Sequence, residues 1–135
     1  MRLASAVLLI SCLAGRALAQ ERLTEAEGRA VWRERSAAIL EDIITLATTR
    51  ACKIVNDDDA RWAMQKLEGR ANNAFWRTPG ISTSIPDQVM VEDVENAEKW
   101  GWVQATPQEC DRLRSDPAIS GNLKSWIGRL SISKF

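Results

Sequence analysis

Hydrophobic residues recur at intervals of three and four positions along most of the chain beyond residue 23, a pattern typical of amphipathic α-helices. The first helix is predicted to begin at a capping box in residues 24–27 (Thr-Glu-Ala-Glu) and to end near Arg50, with Glu25 placed to pair with Arg29. Trp32 falls beside the main apolar stripe of this helix. The stripe is predicted to consist of Leu23, Ala26, Ala30, Ala37, Leu40, Ile44, Ala47 and Ala51, widened by Val31, Ile43 and Ile54.

A second helix is predicted to follow the polar run of residues 56–59 (Asn-Asp-Asp-Asp), in which any of the four side chains can cap the helix. A calcium-binding loop is the alternative, because Asp59 and Glu68 fall at its third and twelfth positions when counted from Asp57. Arg61 at a ligand position and Trp62 in place of the required glycine count against that loop. The helix is predicted to bury Ala60, Ala63, Met64, Leu67, Ala71, Ala74 and Phe75.

The sequence after residue 76 is compatible with more than one secondary structure. Residues 77–80 (Arg-Thr-Pro-Gly) form a predicted turn, and residues 81–85 (Ile-Ser-Thr-Ser-Ile) are predicted as a loop, with a brief strand as the alternative. Pro86 suits the first position of a third helix that ends near Gly101, although the alternation of Val89 with Val91 also permits a strand. The buried side of that helix is predicted at Val89, Met90, Val94, Ala97 and Trp100.

The last third of the chain predicts shorter helices. A second capping box at residues 106–109 (Thr-Pro-Gln-Glu) begins a helix that carries Cys110 and Leu113, and Asp116 with Pro117 repeats the start signal. A final helix from Asn122 is predicted to point inward with Leu123, Trp126, Ile127 and Leu130. Together these elements predict an all-α fold, a small single-domain bundle of four to five helices.

The first nineteen residues are predicted to be a cleaved signal peptide. Arg2 is followed by a mostly apolar run from Leu3 to Ala14, and residues 17–19 (Ala-Leu-Ala) fit a cleavage site. That run is too short to span a bilayer, so no stable membrane anchor is expected after cleavage. Lipidation at Cys12 is the alternative to this cleavage. Residues 20–135 are predicted to form the mature helical domain, located in the periplasm or secreted.

Cleavage leaves two cysteines, Cys52 and Cys110, which are predicted to form one disulfide in an exported chain. A redox or metal site is disfavoured, because the two residues are far apart in sequence and the chain contains no histidine to complete a zinc site. We therefore expect no metal site and no cofactor.

The residue types present restrict the chemistry. The absence of histidine removes the commonest general base and the histidine-containing catalytic triads. Removing Arg2 and Arg16 from 18 basic residues leaves 16 against 18 acidic ones, a net charge of −2, and no nucleic acid is expected as a partner. No catalytic residues are expected, and an enzyme is disfavoured. Carboxylate pairs that could cleave a glycan lie on predicted helices, where a solvated polar face is the ordinary explanation: Glu41, Asp42, Glu92, Asp93, Glu95 and Glu98.

Six tryptophans are unusual in a domain of this size. Most are expected to fill a core that is otherwise built from small alanines, with Trp126 inside it and Trp62 at its edge. Any that are exposed would form a surface suited to a protein or a sugar. The residues expected to contact a partner are Trp76, Arg77, Trp100 and Trp102. The favoured function is therefore binding of a protein partner, without catalysis.

Three other function classes stay open. The signal peptide, helical content and single disulfide between distant cysteines resemble the small periplasmic acid-stress chaperones, the HdeA-like proteins. The resemblance is architectural, since no motif around Cys52 or Cys110 matches, and it implies a chaperone that exposes apolar surface when carboxylates are protonated. The second class is an enzyme that acts on cell-wall glycan through a carboxylate pair. The third is an inhibitor or immunity protein that plugs a partner's active site.

Overall fold

The computed structural model describes residues 22–120 and 123–130, and every regular element within them is an α-helix. The predicted all-α fold is therefore confirmed. The predicted signal peptide, Cys12 and the helix start at Asn122 lie outside the described residues. In chain order the helices are α1 (Glu25–Ala51), α2 (Asp57–Arg77), α3 (Ile81–Ser84), α4 (Gln88–Gln104), α5 (Pro107–Ser115), α6 (Pro117–Ser120) and α7 (Leu123–Leu130).

Polar side chains cap α1, α2 and α5 where the sequence predicts caps. Thr24 Oγ1 accepts a hydrogen bond from the backbone N–H of Glu27 at 3.2 Å, and Thr106 caps α5 in the same way. At α2, Asn56 Oδ1 accepts a hydrogen bond from the backbone N–H of Asp59 at 2.8 Å. Residues 56–59 thus form a helix start, as predicted, in preference to a calcium-binding loop.

The three long helices pack side by side, and contacts at both ends of α1 give their directions. Trp32 lies edge-on to Phe75 near the end of α2, and its Nε1 donates a hydrogen bond to Asp93 near the start of α4. Further along α1, Arg50 pairs with the carboxylate of the first residue of α2 and lies over the ring of Trp102, near the end of α4. Helices α2 and α4 therefore run antiparallel to each other.

The buried face of α1 differs from the predicted one. Trp32, Ile39, Ile43 and Leu46 are each at most 2% exposed and form the centre of the main core. Alanine has little apolar area to bury, so the larger side chains decide which face turns inward. Trp32 thus belongs to the core rather than lying beside its stripe. Three alanines of the predicted stripe are exposed instead: Ala26, Ala30 and Ala37.

Helix α2 buries the face that the sequence predicts. The exposed residues of α2 are mostly polar, so the spacing of its apolar residues indicates one buried face. The face packs against α1, while α4 and α7 also contact α2. All seven residues predicted to be buried are buried: Ala60, Ala63, Met64, Leu67, Ala71, Ala74 and Phe75.

The loop predicted for residues 81–85 is wrong, and so is its strand alternative, because residues 81–84 form one helical turn, α3. The backbone N–H of Ile85 bonds to the carbonyl of Ile81 at 3.0 Å, and both side chains are buried. A strand there would have no partner strand among the described residues to satisfy its backbone groups. Gly80 precedes the turn with a φ of 84°, a left-handed conformation that favours glycine.

Helix α4 does not end near Gly101 as predicted but continues to Gln104, and residues 89–91 are helical rather than extended. Gly101 is buried where α4 contacts α1, and its lack of a side chain allows the two helices to approach closely. A Cβ atom at this position would lie 2.5 Å from the carbonyl oxygen of Ile44 and 2.6 Å from the Cβ of Ala47. The glycine thus serves helix packing rather than helix termination.

A second, smaller hydrophobic cluster surrounds the disulfide. Cys52 and Cys110 are bonded, as predicted, with their Cα atoms 5.4 Å apart. The bridge joins the residue after α1 to the middle of α5, and both cysteines pack with Leu113 and Ile119. Trp126 of α7 contacts this cluster and the main core.

Helix α7 agrees in part with the predicted inward face. Ile127 is buried at 7% exposure, whereas Trp126 is only partly buried. The predicted inward side chains of Leu123 and Leu130 lie outside the described part of the chain.

Candidate functional site

Most of the tryptophans lie at the surface, so the prediction that most fill the core is wrong. The predictions of a core-edge position for Trp62 and a buried position for Trp100 are also wrong. Isoleucine, leucine, phenylalanine and small alanine side chains fill the core around a single buried indole, Trp32. Large exposed apolar side chains often mark a surface that another molecule covers. The four exposed tryptophans are Trp62 (47%), Trp76 (53%), Trp100 (53%) and Trp102 (49%).

The residues predicted to contact a partner do not form one patch. Trp100 and Trp102 are two positions apart on α4, so their side chains leave the helix about 160° apart. Trp76 and the exposed Arg77 lie at the end of α2, beside the start of α4. Trp102 lies at the opposite end of the bundle, where the guanidinium of Arg50 is 6.0 Å from its ring centroid.

A groove of about 510 Å³ separates α2 from α4, and we call it the α2–α4 groove. On the α4 side, Met90 and Val94 pack against the main core and give the groove an apolar floor, and Val91 is 41% exposed. Glu95 completes this side. The α2 side is formed by Gln65, Glu68, Gly69 and Asn72.

Helical spacing places Trp76 in line with the α2 wall. Steps of four, three and four residues lead from Gln65 through Gly69 and Asn72 to Trp76, and residues so spaced share one face of a helix. Trp76 therefore extends the α2 wall beyond the groove at the end of α2.

The face of α4 that lines the groove continues beyond Glu95, with the same spacing, to a tryptophan. Steps of four, three and four lead from Val91 through Glu95 and Glu98 to Trp102, a length of about 16 Å along the helix. Because α2 and α4 are antiparallel, Trp76 and Trp102 lie toward opposite ends of the groove. Trp100 is about 180° from Val91 around α4, so it lies on the far side of that helix.

The α2–α4 groove is acidic. The pKa of Glu68 is raised above its usual value, first by burial and second by the negative charge of Glu98 on the facing helix. Glu95 adds a third carboxylate. None of the described residues that line the groove carries a positive charge. A positively charged ligand would relieve the repulsion between these carboxylates.

Several carboxylates considered for catalysis have structural partners instead. Asp93 accepts the indole N–H of Trp32 at 2.8 Å, and Glu92 accepts a hydrogen bond from Gln88 at 3.2 Å. Asp42 pairs with Arg70 at 3.4 Å, yet its pKa is raised, because burial outweighs the attraction of the guanidinium. In the described part of the chain, no three His, Cys, Asp or Glu side chains come together as a candidate metal site.

A second cavity of about 250 Å³ lies where α1 and α5 meet. Its polar lining is largely engaged within the protein: the hydroxyls of Thr45 and Thr48 donate to backbone carbonyls of α1, and Glu109 pairs with Arg112. The α2–α4 groove is the better candidate, because it combines an apolar floor, unpaired acidic groups and tryptophans at its ends.

The chain matches no known protein family, no curated protein and no solved structure. Among residues 22–120 and 123–130, no helix has both the length and the apolar character needed to cross a bilayer.

Proposed function

We propose that this protein is an exported, non-catalytic binding protein whose α2–α4 groove holds a segment of a protein partner. The observation that carries the proposal is the half-exposure of Trp76 and Trp102, which continue the two helix faces of the groove in opposite directions beyond its apolar floor. Tryptophan and arginine dominate the energetics of protein–protein contacts, and exposed Arg77 adjoins Trp76. Trp100 faces away from the groove and has no part in this proposal.

Export is part of the proposal and is supported by two independent features. The first nineteen residues have the composition of a signal peptide, and the Cys52–Cys110 disulfide is typical of the periplasm or the cell exterior. The disulfide also braces a small domain that cannot rely on cytosolic chaperones after export.

Replacement of Trp76 and Trp102, the tryptophans on either side of the groove, is expected to abolish partner capture. The mature protein, immobilised, would be exposed to periplasmic and culture extracts of its native host, and bound proteins identified by mass spectrometry. A partner held by the wild type should be lost with Trp76→Ser/Trp102→Ser, since truncating an interface hot spot costs about 2 kcal/mol or more, roughly a 30-fold loss of affinity.

Trp100→Ser is the matched control, because Trp100 is exposed to the same extent as Trp76 but lies on the far side of α4. It should retain the partner. Equal loss in the control, or retention by the Trp76→Ser/Trp102→Ser variant, would show that the groove is not the binding surface.

A glycan-acting enzyme is a second candidate, favoured by one observation. Glu68 has a raised pKa and faces Glu98 across the groove, and glycosidases use one protonated and one ionised carboxyl group. Release of reducing sugar from purified cell wall by the mature protein would support this candidate, whereas the proposed binding function predicts none.

An acid-activated chaperone finds less support in the ionisable groups. The raised pKa values of Asp42 and Glu68 mean that the folded state binds these protons more tightly than the unfolded state does. Both groups therefore destabilise the fold at neutral pH, and that penalty disappears as pH falls toward their ordinary pKa values. Partly buried Glu109 acts in the opposite sense, because its hydrogen bond with Arg112 lowers its pKa.

Glu68→Gln is accordingly expected to raise the free energy of unfolding slightly at pH 7, because it removes the desolvated charge and its repulsion with Glu98. Below about pH 4, where Glu68 is protonated in both states, the variant and the wild type should be equally stable. Urea unfolding followed by circular dichroism at both pH values measures the difference. A variant that is less stable than the wild type at pH 7 would contradict this view of the groove.

A further inference from the structure

We infer that the occupant of the α2–α4 groove is a basic amphipathic peptide segment, whose lysine or arginine side chains meet Glu68, Glu95 and Glu98. Its apolar residues would cover Met90 and Val94. The inference rests on the proposed function and adds to it the chemistry of the partner.

Charge complementarity is the first argument. Glu68 on α2 and Glu95 and Glu98 on α4 put negative charge on both sides of the groove, and none of the lining residues that the structure describes is basic. Helix α4 as a whole carries four carboxylates and one lysine, Lys99. The like charges repel, so a cationic partner gains both attraction and relief of that repulsion.

Two basic side chains of α2 close to the groove-lining residues are engaged elsewhere. The ammonium group of Lys66 lies 5.7 Å from the ring centroid of Trp62, and Arg70 pairs with Asp42 of α1. These contacts leave the carboxylates of the groove to be matched by an external cation.

The shape and the apolar floor favour a peptide over a simple cation. The face of α4 from Val91 to Trp102, of which the part up to Glu95 lines the groove, is about 16 Å long and accommodates roughly three turns of a helix or five residues of an extended chain. Met90, Val91 and Val94 offer apolar contacts that a metal ion or a polyamine would not use. A lysine or arginine of the same segment can also lie over the ring of Trp76 at the end of the groove, as Arg50 does over Trp102.

The test uses the mature, disulfide-bonded protein and three synthetic 14-residue peptides in isothermal titration calorimetry. All three carry leucine at helical spacing, and the remaining positions are lysine, glutamine or glutamate. The lysine peptide should bind at least about tenfold more tightly than the glutamine peptide, and the glutamate peptide should not bind measurably. Raising the salt concentration from about 50 mM to about 300 mM should weaken the lysine peptide selectively.

Substitutions of residues in and beside the groove test whether the lysine peptide binds there. Glu95→Gln/Glu98→Gln should weaken the lysine peptide about tenfold, and Trp76→Ser should also weaken it. The matched control Glu34→Gln/Asp111→Asn removes the same charge from exposed positions on α1 and α5, and it should change the affinity by less than about twofold. Circular dichroism melts establish that each variant is folded before binding is compared.

Any of the following results would overturn the inference that the groove binds a basic peptide segment. Equal affinity for the lysine and glutamine peptides, or an equal loss in the charge control, would show that the groove does not select a basic segment. Binding of a glucosamine oligomer in place of the lysine peptide would assign the groove to an amino sugar. None of these results decides the proposed function, because partner capture by the Trp76→Ser/Trp102→Ser and Trp100→Ser variants is measured separately.

Discussion

Replacing both Cys52 and Cys110 by alanine is expected to lower the free energy of unfolding by about 4 kcal/mol, because the bridge closes a loop across 58 residues of sequence. Domains of this size are stable by only about 5 to 15 kcal/mol. The loss is therefore a large fraction of the total. Urea unfolding of the double variant, compared with the oxidised wild type, measures it directly.

The Cys52→Ala/Cys110→Ala variant should lose more local stability near the missing disulfide than in the main core. Leu113 and Ile119 pack in the small cluster around the disulfide, whereas α2 belongs to the main core. Amide hydrogen exchange should thus accelerate more in α5 and α6 than in the middle of α2. Wild-type protein treated with a reducing agent is the control and should behave like the variant. A change in stability below about 1 kcal/mol would mean that the bridge contributes little.

Trp32→Ala is expected to cost about 3 to 5 kcal/mol, the usual range for truncating a fully buried large aromatic side chain. Trp32 is 2% exposed, its ring meets Phe75 edge-on at 5.5 Å between centroids, and its indole N–H donates to Asp93 at 2.8 Å. The substitution empties a space between all three long helices and removes the donor that Asp93 uses.

Trp100→Ala provides a comparison with the same chemical change at an exposed position. Substitutions at such surface sites usually change stability by no more than about 0.5 kcal/mol. Trp32→Phe separates packing from hydrogen bonding, since it keeps a buried ring but removes the N–H, at an expected cost of about 1 to 3 kcal/mol. Urea denaturation followed by far-ultraviolet circular dichroism ranks the three variants. Similar costs for Trp32→Ala and Trp100→Ala would contradict the assignment of Trp32 to the core.

Features that depend on neighbouring residues could be predicted from the sequence. The caps at Thr24, Asn56 and Thr106 need only a side chain and a backbone amide three residues later. The buried face of α2 could equally be predicted, because apart from Trp62 and Trp76 its apolar residues recur at helical spacing between polar ones. The Cys52–Cys110 pair could be predicted from the expected removal of Cys12 with the signal peptide, which leaves these two cysteines as each other's available partner.

Features that depend on tertiary contacts could not be predicted in this way. The predicted face of α1 relied on alanines, whereas the actual face contains Ser36 and Thr49, both nearly inaccessible to solvent. The hydroxyl of Thr49 donates to the carbonyl of Leu46 at 2.8 Å within its own helix, which makes a polar residue acceptable in the core. Likewise, Gly101 suggests a helix end until the approach of α1 is known.

The candidate site also contains some features that the sequence predicts and others that depend on tertiary contacts. Trp76 and Trp102 could be selected from composition, but the groove between them exists only because α2 and α4 are antiparallel neighbours. The sequence singles out Glu68 only as a position in the alternative calcium-binding loop. The spacing from Gln65 to Trp76 was available in the sequence as a signal that polar residues and a tryptophan share one face of α2.

The outward placement of most indoles determines what intrinsic fluorescence can report on this molecule. Since four of six rings are already about half exposed in the native state, unfolding should shift the emission spectrum less than it would in a protein whose tryptophans are all buried. A ligand that covers Trp76 and Trp102 should instead shift emission to shorter wavelengths while the helices stay intact. Tryptophan emission should therefore report ligand binding at the groove more sensitively than it reports unfolding.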